Sequence, residues 1–379
     1  GHSIAMSASR IDRVKSCHFG YFMEYGLRAK ERKKAGFDAP EVGTFLHYLL
    51  ENVNRDVKAL GGYGQVSDDE LRRMTKDYVS RYAAERIDDF AHKSARFRYL
   101  FTRLRETAYT IILNIAREMR QSDFQPVSFE LSFGGRQGDL PAITIQEDGA
   151  RLSVSGKVDR VDGWLHEGKL YLRVVDYKTG KKSFDLTDIR YGLGIQMLLY
   201  LFTLEREGQS FFGHPIVPCG VLYQPARDVI LRQDRSISDE KLKAALQSEL
   251  RRTGLVLNDP QVLRAMEHSA LDSPCYLPIG VKKDGSLSGS VATAAQLGHL
   301  GRYVDKLLHQ ITGEIAHGNI DADPYARGPQ DSACTYCPFA AACCFDEARD
   351  KRRPLRKTDS EEFWALMEKT GEEDRHGEN

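Results

Sequence analysis

The sequence predicts a mixed α/β chain in which a helical part precedes an antiparallel-rich sheet flanked by helices, and three observations predict it. Apolar residues recur at helical spacing as far as residue 120. The texture changes at Pro126 to short strand-like runs bounded by Gly and Asp. Beyond residue 190, single helices and strands interleave.

GHSIAM reads as an expression remnant, so residues 1–8 are set aside as lead-in. ASRIDRVKSCHFGYFMEYGLRAKERK (8–33) reads as a helix with Ile11, Val14, Phe22 and Tyr25 on a broken apolar face. A second helix spans 39–60, with Pro40 near its start and Phe45, Leu46, Leu49 and Leu50 on its buried side. Two more fill 67–90 and 97–120. The latter carries Arg98, Arg103, Arg105, Arg117 and Arg120, the most basic surface of the chain, for which a solvated helix face is the commoner explanation; Arg98, Arg103, Arg105 and, further on, Arg160 are the candidate DNA contacts. VSFELSF, AITIQ, RLSVSGKVDRVDGW and KLYLRVVDYK then read as successive strands. A helix at 192–207, a strand at 217–226, helices at 239–253 and 292–317, a cysteine-rich segment and a charged tail complete the chain. One domain is expected over 9–369, made of a helical part (9–125), a sheet core (126–290) and a closing segment (291–369), with 370–379 a disordered tail.

The 379 residues hold 54 Lys+Arg and 54 Asp+Glu, so no overall positive coat attracts nucleic acid, although a local basic groove remains compatible with that balance. No apolar run approaches the roughly 20 residues of a membrane span, and the start has no basic and apolar regions of a signal peptide. A cytoplasmic protein is expected. The start lies so close to Cys17 that the chain reads as a piece of something longer.

The most informative stretch is VVDYKTGKK (174–182). Side chains at i and i+2 of a strand share a face, so Asp176 and Lys178 point one way and Tyr177 the other. An acid and an amine at the end of an apolar strand either pair with each other or bind something. Upstream, GKVDRVD places Asp159 and Asp162 around Arg160 where one strand gives way to the next. Carboxylates on neighbouring strands with a lysine beside them are the minimum set for metal-dependent phosphodiester cleavage. The carboxylates bind Mg²⁺ or Mn²⁺, a bound water becomes more acidic, and the lysine steadies the developing charge. Two companions fit. His47 and Glu51 share one helix face, and Gln196 and Tyr200 recur at i, i+4 on an otherwise apolar helix. TGKKS (179–183) is not a phosphate loop of the Walker type, which needs Gly where Val175 stands, and no other Walker signature occurs, so the chain carries no ATP motor of its own.

Cys334, Cys337 and Cys343 follow a C-x2-C-x5-C spacing, with Cys344 adjacent. Seven cysteines, four of them within eleven residues, argue for metal or cluster ligation rather than a secreted disulfide framework. Zinc and an iron–sulphur cluster both remain open on spacing alone. Cys219 and Cys275 read as packing residues.

Taken in order, GTFLH, GKVDRVD, VVDYKTGKK and GIQMLLY resemble the RecB-type branch of the PD-(D/E)XK (restriction-endonuclease-like) nuclease superfamily, in particular the AddB-type nuclease domains of AddAB helicase–nucleases. The resemblance runs from about Ser9 to Lys369. It implies a mixed central sheet, with His47, Asp159, Asp176 and the Tyr177 backbone carbonyl as ligands of Mg²⁺ or Mn²⁺. Lys178 would be the catalytic lysine, with Gln196 and Tyr200 completing the site. It further implies a [4Fe-4S] cluster on Cys17, Cys334, Cys337 and Cys343 that staples the first helix to the last segment. The function implied is exonucleolytic cutting of single strands during end resection for recombinational repair, beside an AddA-like motor subunit. A free-standing CRISPR-associated-type exonuclease, a DNA-binding scaffold with a decayed nuclease, and a zinc-stapled protein are the alternatives.

Overall fold

The computed structural model describes residues 2–30, 39–87, 94–134, 138–229, 231 and 238–377. Among these, eight strands form one mixed sheet built around a single long strand. The strands are β1 (His2–Ser7), β2 (Gln125–Phe133), β3 (Ile143–Glu147), β4 (Ala150–His166), β5 (Lys169–Lys178), β6 (Ile216–Pro225) and β7 (Thr253–Leu257), with Val291–Ala292 at the far edge. β4 is 17 residues long and serves two sets of neighbours. Its first part pairs with β1 in parallel and with β3 antiparallel, and its second part pairs with β2 and β5 antiparallel. β6 then lies parallel to β5, aligning Tyr223 with Asp176.

His2–Ser7 therefore correct the expectation that residues 1–8 stand outside the fold: they add an edge strand along residues 150–155. The first expected helix also differs. α1 (Ala8–Ser16) stops at Cys17, whose extended backbone (φ −172°) separates it from α2 (His18–Tyr21) and a π turn at Phe22–Gly26. The part of that expectation beyond Lys30 lies outside the described residues. α3 (Ala39–Ala59), α4 (Asp68–Arg86) and α5 (Ala95–Met119) follow near the expected spans, and residues 88–90 of the helix expected over 67–90 lie outside the described residues. α4 starts on a capping box in which Ser67 and Glu70 satisfy each other's backbone N–H groups.

These three helices bury Phe45, Leu49, Leu50, Val53, Ile111, Ile112 and Ile115 in a core of their own, and Tyr177 is the residue of β5 that enters it. The opposite face of the sheet packs a larger core against α1, α7 (Gln196–Phe212, which follows the short α6, Leu186–Arg190) and α10 (Ala294–Ala316), with α8 (Asp239–Glu249) and α9 (Pro260–Met266) between the last strands. α7 starts at Gln196 rather than 192 because Gly192 and Gly194 hold left-handed backbone (φ 78° and 66°) that no helix continues through. After the short α11 (Ala340–Cys343), α12 (Ser360–Gly377) packs on α10 and takes in residues 370–377 of the tail expected to be disordered, while 378–379 lie outside the described residues.

Between the helical part and the sheet lies a buried ionic network. Arg173 donates from Nε to Asp162 Oδ2 (2.9 Å) and from Nη2 to Glu118 Oε1 (2.9 Å), Arg252 donates to Glu118 Oε2, and Arg160 donates to Asp162 (3.1 Å) and to the Tyr177 hydroxyl (3.2 Å). All five charged side chains are at most 1% exposed. The expectation that Arg160 contacts DNA is thus corrected. In β4 it shares a face with Asp162, and that face turns into the protein.

Candidate active site

The site forms where β2, β4 and β5 meet the middle of α3. Amphipathic packing fixes His47 on α3: Leu46, Leu49 and Leu50 are at most 1% exposed, which leaves His47 facing the sheet edge. Its Nδ1 lies 3.4 Å from Asp159 Oδ1 and 3.9 Å from Glu130 Oε1. One ligand atom from each of His47, Glu130 and Asp159 falls within a common 4.8 Å. Burial alone would lower the imidazole pKa, but the two carboxylates outweigh it and push His47 up to about 10.

β5 supplies the rest. Strand alternation places Tyr177 in the helical core, its ring edge-on to His47 at 5.8 Å, and aims Asp176 and Lys178 at the opposite face. The Tyr177 backbone N–H donates to Asp159 Oδ2 (2.8 Å), which ties β5 to the carboxylate of β4. Asp176 is 7% exposed, and its Oδ2 forms an ion pair with Lys178 Nζ. Burial, then the charge of Asp159, raises its carboxyl to about 6 against the pull of Lys178. A half-buried group of carboxylate and imidazole donor atoms, with the Asp176 carboxylate beside it, fits a hard divalent cation, which takes oxygen and imidazole ligands.

Gln196 and Tyr200 approach from α7, where Gln196 Nε2 donates to the Tyr200 hydroxyl (2.7 Å). Gly156 makes the approach feasible: a Cβ there would stand 2.6 Å from the Tyr200 ring and 2.5 Å from Phe133. Sequence reasoning missed Glu130. It sits in β2 with φ 52°, out of the strand's alternation, and pairs with Lys157 at 2.5 Å. The one available signal was an acid at a strand position where apolar and polar residues alternate. Of the expected DNA contacts on α5, Arg103 pairs with Asp228 and Arg105 with Glu106, while Arg98 also has a partner. Asp162 belongs to the buried network, and Glu51 pairs with Arg55 on its own helix.

The cysteines lie elsewhere. Cys17 is 9% exposed at the α1–α2 break, which is tied to the C-terminal segment by several bonds. His18 Nδ1 bonds Asp323 (2.8 Å), the Phe19 N–H donates to Asp321 O, and Arg353 donates to Lys15 O (2.7 Å). Burial raises the Cys343 thiol, and the charges of Cys17, Cys334 and Cys337 raise it further. Cys334 likewise feels Cys17 and Cys337. Cys344 takes a left-handed conformation (φ 51°) and is exposed, with Sγ against Ala341 O (3.4 Å). Among the described residues, no three of these sulfurs come within 4.8 Å of one another.

The profile of the PD-(D/E)XK nuclease superfamily matches residues 5–344. The chain is 35% identical over 98% of its length to a protein of Acetivibrio thermocellus whose name makes it a subunit of an ATP-dependent helicase/deoxyribonuclease. Proteins of the same name from Clostridium kluyveri and Caldanaerobacter subterraneus are 33% and 32% identical over 97% and 99% of the chain. The chain spans about a third of the length of each of these relatives (32–33%). No helix among the described residues is long and apolar enough to cross a membrane.

Proposed function

This chain belongs to the PD-(D/E)XK nuclease superfamily, and on that premise we propose that it hydrolyses phosphodiester bonds in single-stranded DNA ends with Mg²⁺ or Mn²⁺. The observation that carries the reading is the convergence of His47, Glu130 and Asp159 from three separate elements beside Asp176 and Lys178. His47, Glu130, Asp159, Asp176 and the Tyr177 carbonyl are the residues that would hold the cation. Bound there, it would polarise the scissile phosphate and make water acidic enough to attack at neutral pH. The Lys178 ammonium, at the cleft end of β5 and one-third exposed, balances negative charge accumulating on the phosphate. Gln196 holds the Tyr200 hydroxyl through one hydrogen bond and so fixes the α7 wall of the site. Arg98, Arg103 and Arg105 on α5 are the proposed contacts to the DNA backbone further out.

Cys17, Cys334, Cys337 and Cys343 are proposed to hold a [4Fe-4S] cluster. A single tetrahedral zinc, at about 2.3 Å from each sulfur, draws four thiolates to within about 4 Å of one another. The reading rests on the residue type and the C-x2-C-x5-C spacing, and in a [4Fe-4S] cluster each thiolate would bind its own iron. Closing the chain from residue 17 to 343 restricts the unfolded state and adds cluster binding to folding free energy. The relatives' name supports an assembly in which this nuclease unit works beside an ATP-driven helicase subunit, and end resection at DNA breaks is the role proposed for it.

The test is digestion of single-stranded DNA labelled at either end by anaerobically purified protein. Metal-dependent shortening from one end, abolished by chelator, is the expected result. Intact DNA in every divalent cation, with iron still bound, would overturn the reading for the chain by itself.

A further inference from the structure

The nuclease reading leaves TGKKS unused. The loop leaves the C-terminal end of β5 next to Lys178, and it borders a cleft of about 350 Å³ that also takes in Tyr223, Arg227 and Glu249. β5 and β6 are parallel, so their C-terminal ends open on the same side. Crevices beyond such ends are where open α/β sheets commonly receive ligands.

Cations from both ends converge there. Lys178 Nζ and Lys182 Nζ lie 5.7 and 6.0 Å from the centroid of the Tyr223 ring, which holds both amines on one wall. Tyr223 is only 5% exposed, so that wall is rigid. Lys182 is further placed by its backbone, whose carbonyl accepts from Thr253 Oγ1 (2.8 Å), and its charge is felt by the half-buried Asp12 carboxylate. Arg227 follows β6 directly, with the adjacent Ala226 N–H donating to Lys178 O (2.8 Å). Across the cleft, Arg227 Nη2 and Lys181 Nζ approach the same Glu249 carboxylate at 2.6 and 3.7 Å. One anionic group from α8 is thus already accommodated between a cation from the β5 loop and one from the β6 end.

We propose that this cleft is a second phosphate subsite, where Lys182, Arg227 and Lys181 hold a backbone phosphate of the substrate strand adjacent to the one that meets Lys178. The ligand class is a phosphodiester of a single strand, and Glu249 is the resident carboxylate that this phosphate displaces. The inference rests on the nuclease reading above for the identity of the strand. It assigns to TGKKS a role in gripping that strand, without the nested backbone of a Walker loop.

The experiment scans a single neutral methylphosphonate along a short oligonucleotide. Equilibrium binding is measured in Ca²⁺, and cleavage in Mg²⁺, for the wild type, Lys182→Gln with Arg227→Gln, and Lys182→Arg with Arg227→Lys. Wild-type binding is expected to weaken about tenfold at one linkage besides the one whose sensitivity is lost in Lys178→Gln, which is measured alongside. That sensitivity should vanish in the double Gln variant and return in the charge-conserving one. Equal sensitivity of the wild type and the double Gln variant at every linkage would overturn the subsite, as would wild-type binding indifferent to all methylphosphonates. Failure of cleavage alone, with the binding pattern intact, would overturn the nuclease reading and leave the subsite standing.

Discussion

Replacing Glu118 by Gln removes one carboxylate from the network that joins α5 to the sheet. Glu118 is 1% exposed and accepts from Arg173 on one oxygen and from Arg252 on the other. The amide keeps the volume of the side chain but turns an NH2 group toward a guanidinium, and the site retains Arg160, Arg173 and Arg252 against Asp162 alone. Removing one partner of a buried ion pair costs about 3–5 kcal/mol, because the remaining charge stays desolvated. The pH dependence has a definite sign. Burial works to raise the Glu118 carboxyl, yet Arg252 and Arg173 hold it below the ordinary range. Its contribution is therefore complete above the unfolded carboxyl value of about 4.3 and is lost as pH falls through the lower folded value. Urea unfolding followed by far-UV circular dichroism should show the gap between wild type and Glu118→Gln in full at neutral pH and narrowing below about pH 4. Asp305→Asn provides the surface comparison. It breaks the exposed contact of Arg206 with both Asp305 oxygens (2.8 Å each) and should cost less than about 1 kcal/mol. A Glu118→Gln loss no larger than that of Asp305→Asn would refute the reasoning.

Two further outcomes are expected. Glu130→Gln, at the ligand position the sequence did not reveal, should weaken Mn²⁺ binding about 10–100-fold by calorimetry while leaving the urea midpoint close to wild type. Cys17→Ser should abolish bound iron and visible absorbance in anaerobically purified protein, whereas Cys344→Ser, at an exposed residue turned onto its own short helix, should retain both.

What the sequence made legible was whatever depended on a local period. The two-residue repeat of β5 separates Tyr177 from Asp176 and Lys178, and the fold keeps that separation between its two cores. The same repeat puts Arg160 and Asp162 on the face that carries Arg173 and Tyr177, so the burial of Arg160 was readable, but an arginine between two aspartates also resembles a basic groove. Glu130 was not readable, because its left-handed backbone takes it out of the alternation of β2, and only the pairing of β2 with β4 brings it to Asp159. The break at Cys17 was hidden too. α1 and α2 have continuous helical spacing, and the interruption is stabilised by residues some 300 positions later, Asp321 and Asp323. His2–Ser7 is short and ordinary in composition, and its strand conformation comes from the free edge of β4.

The measurement closest to the central claim compares Asp176→Ala and Lys178→Ala with the wild type, recording Mn²⁺ binding and cleavage of single-stranded DNA on the same iron-loaded preparations. Asp176 is assigned to the cation and Lys178 to the phosphate, so Asp176→Ala should lose both binding and cleavage. Lys178→Ala should bind Mn²⁺ at least as well as wild type, because an ammonium leaves the contact with Asp176 Oδ2, and should still fail to cut. Cleavage at wild-type rate by either variant would contradict the account.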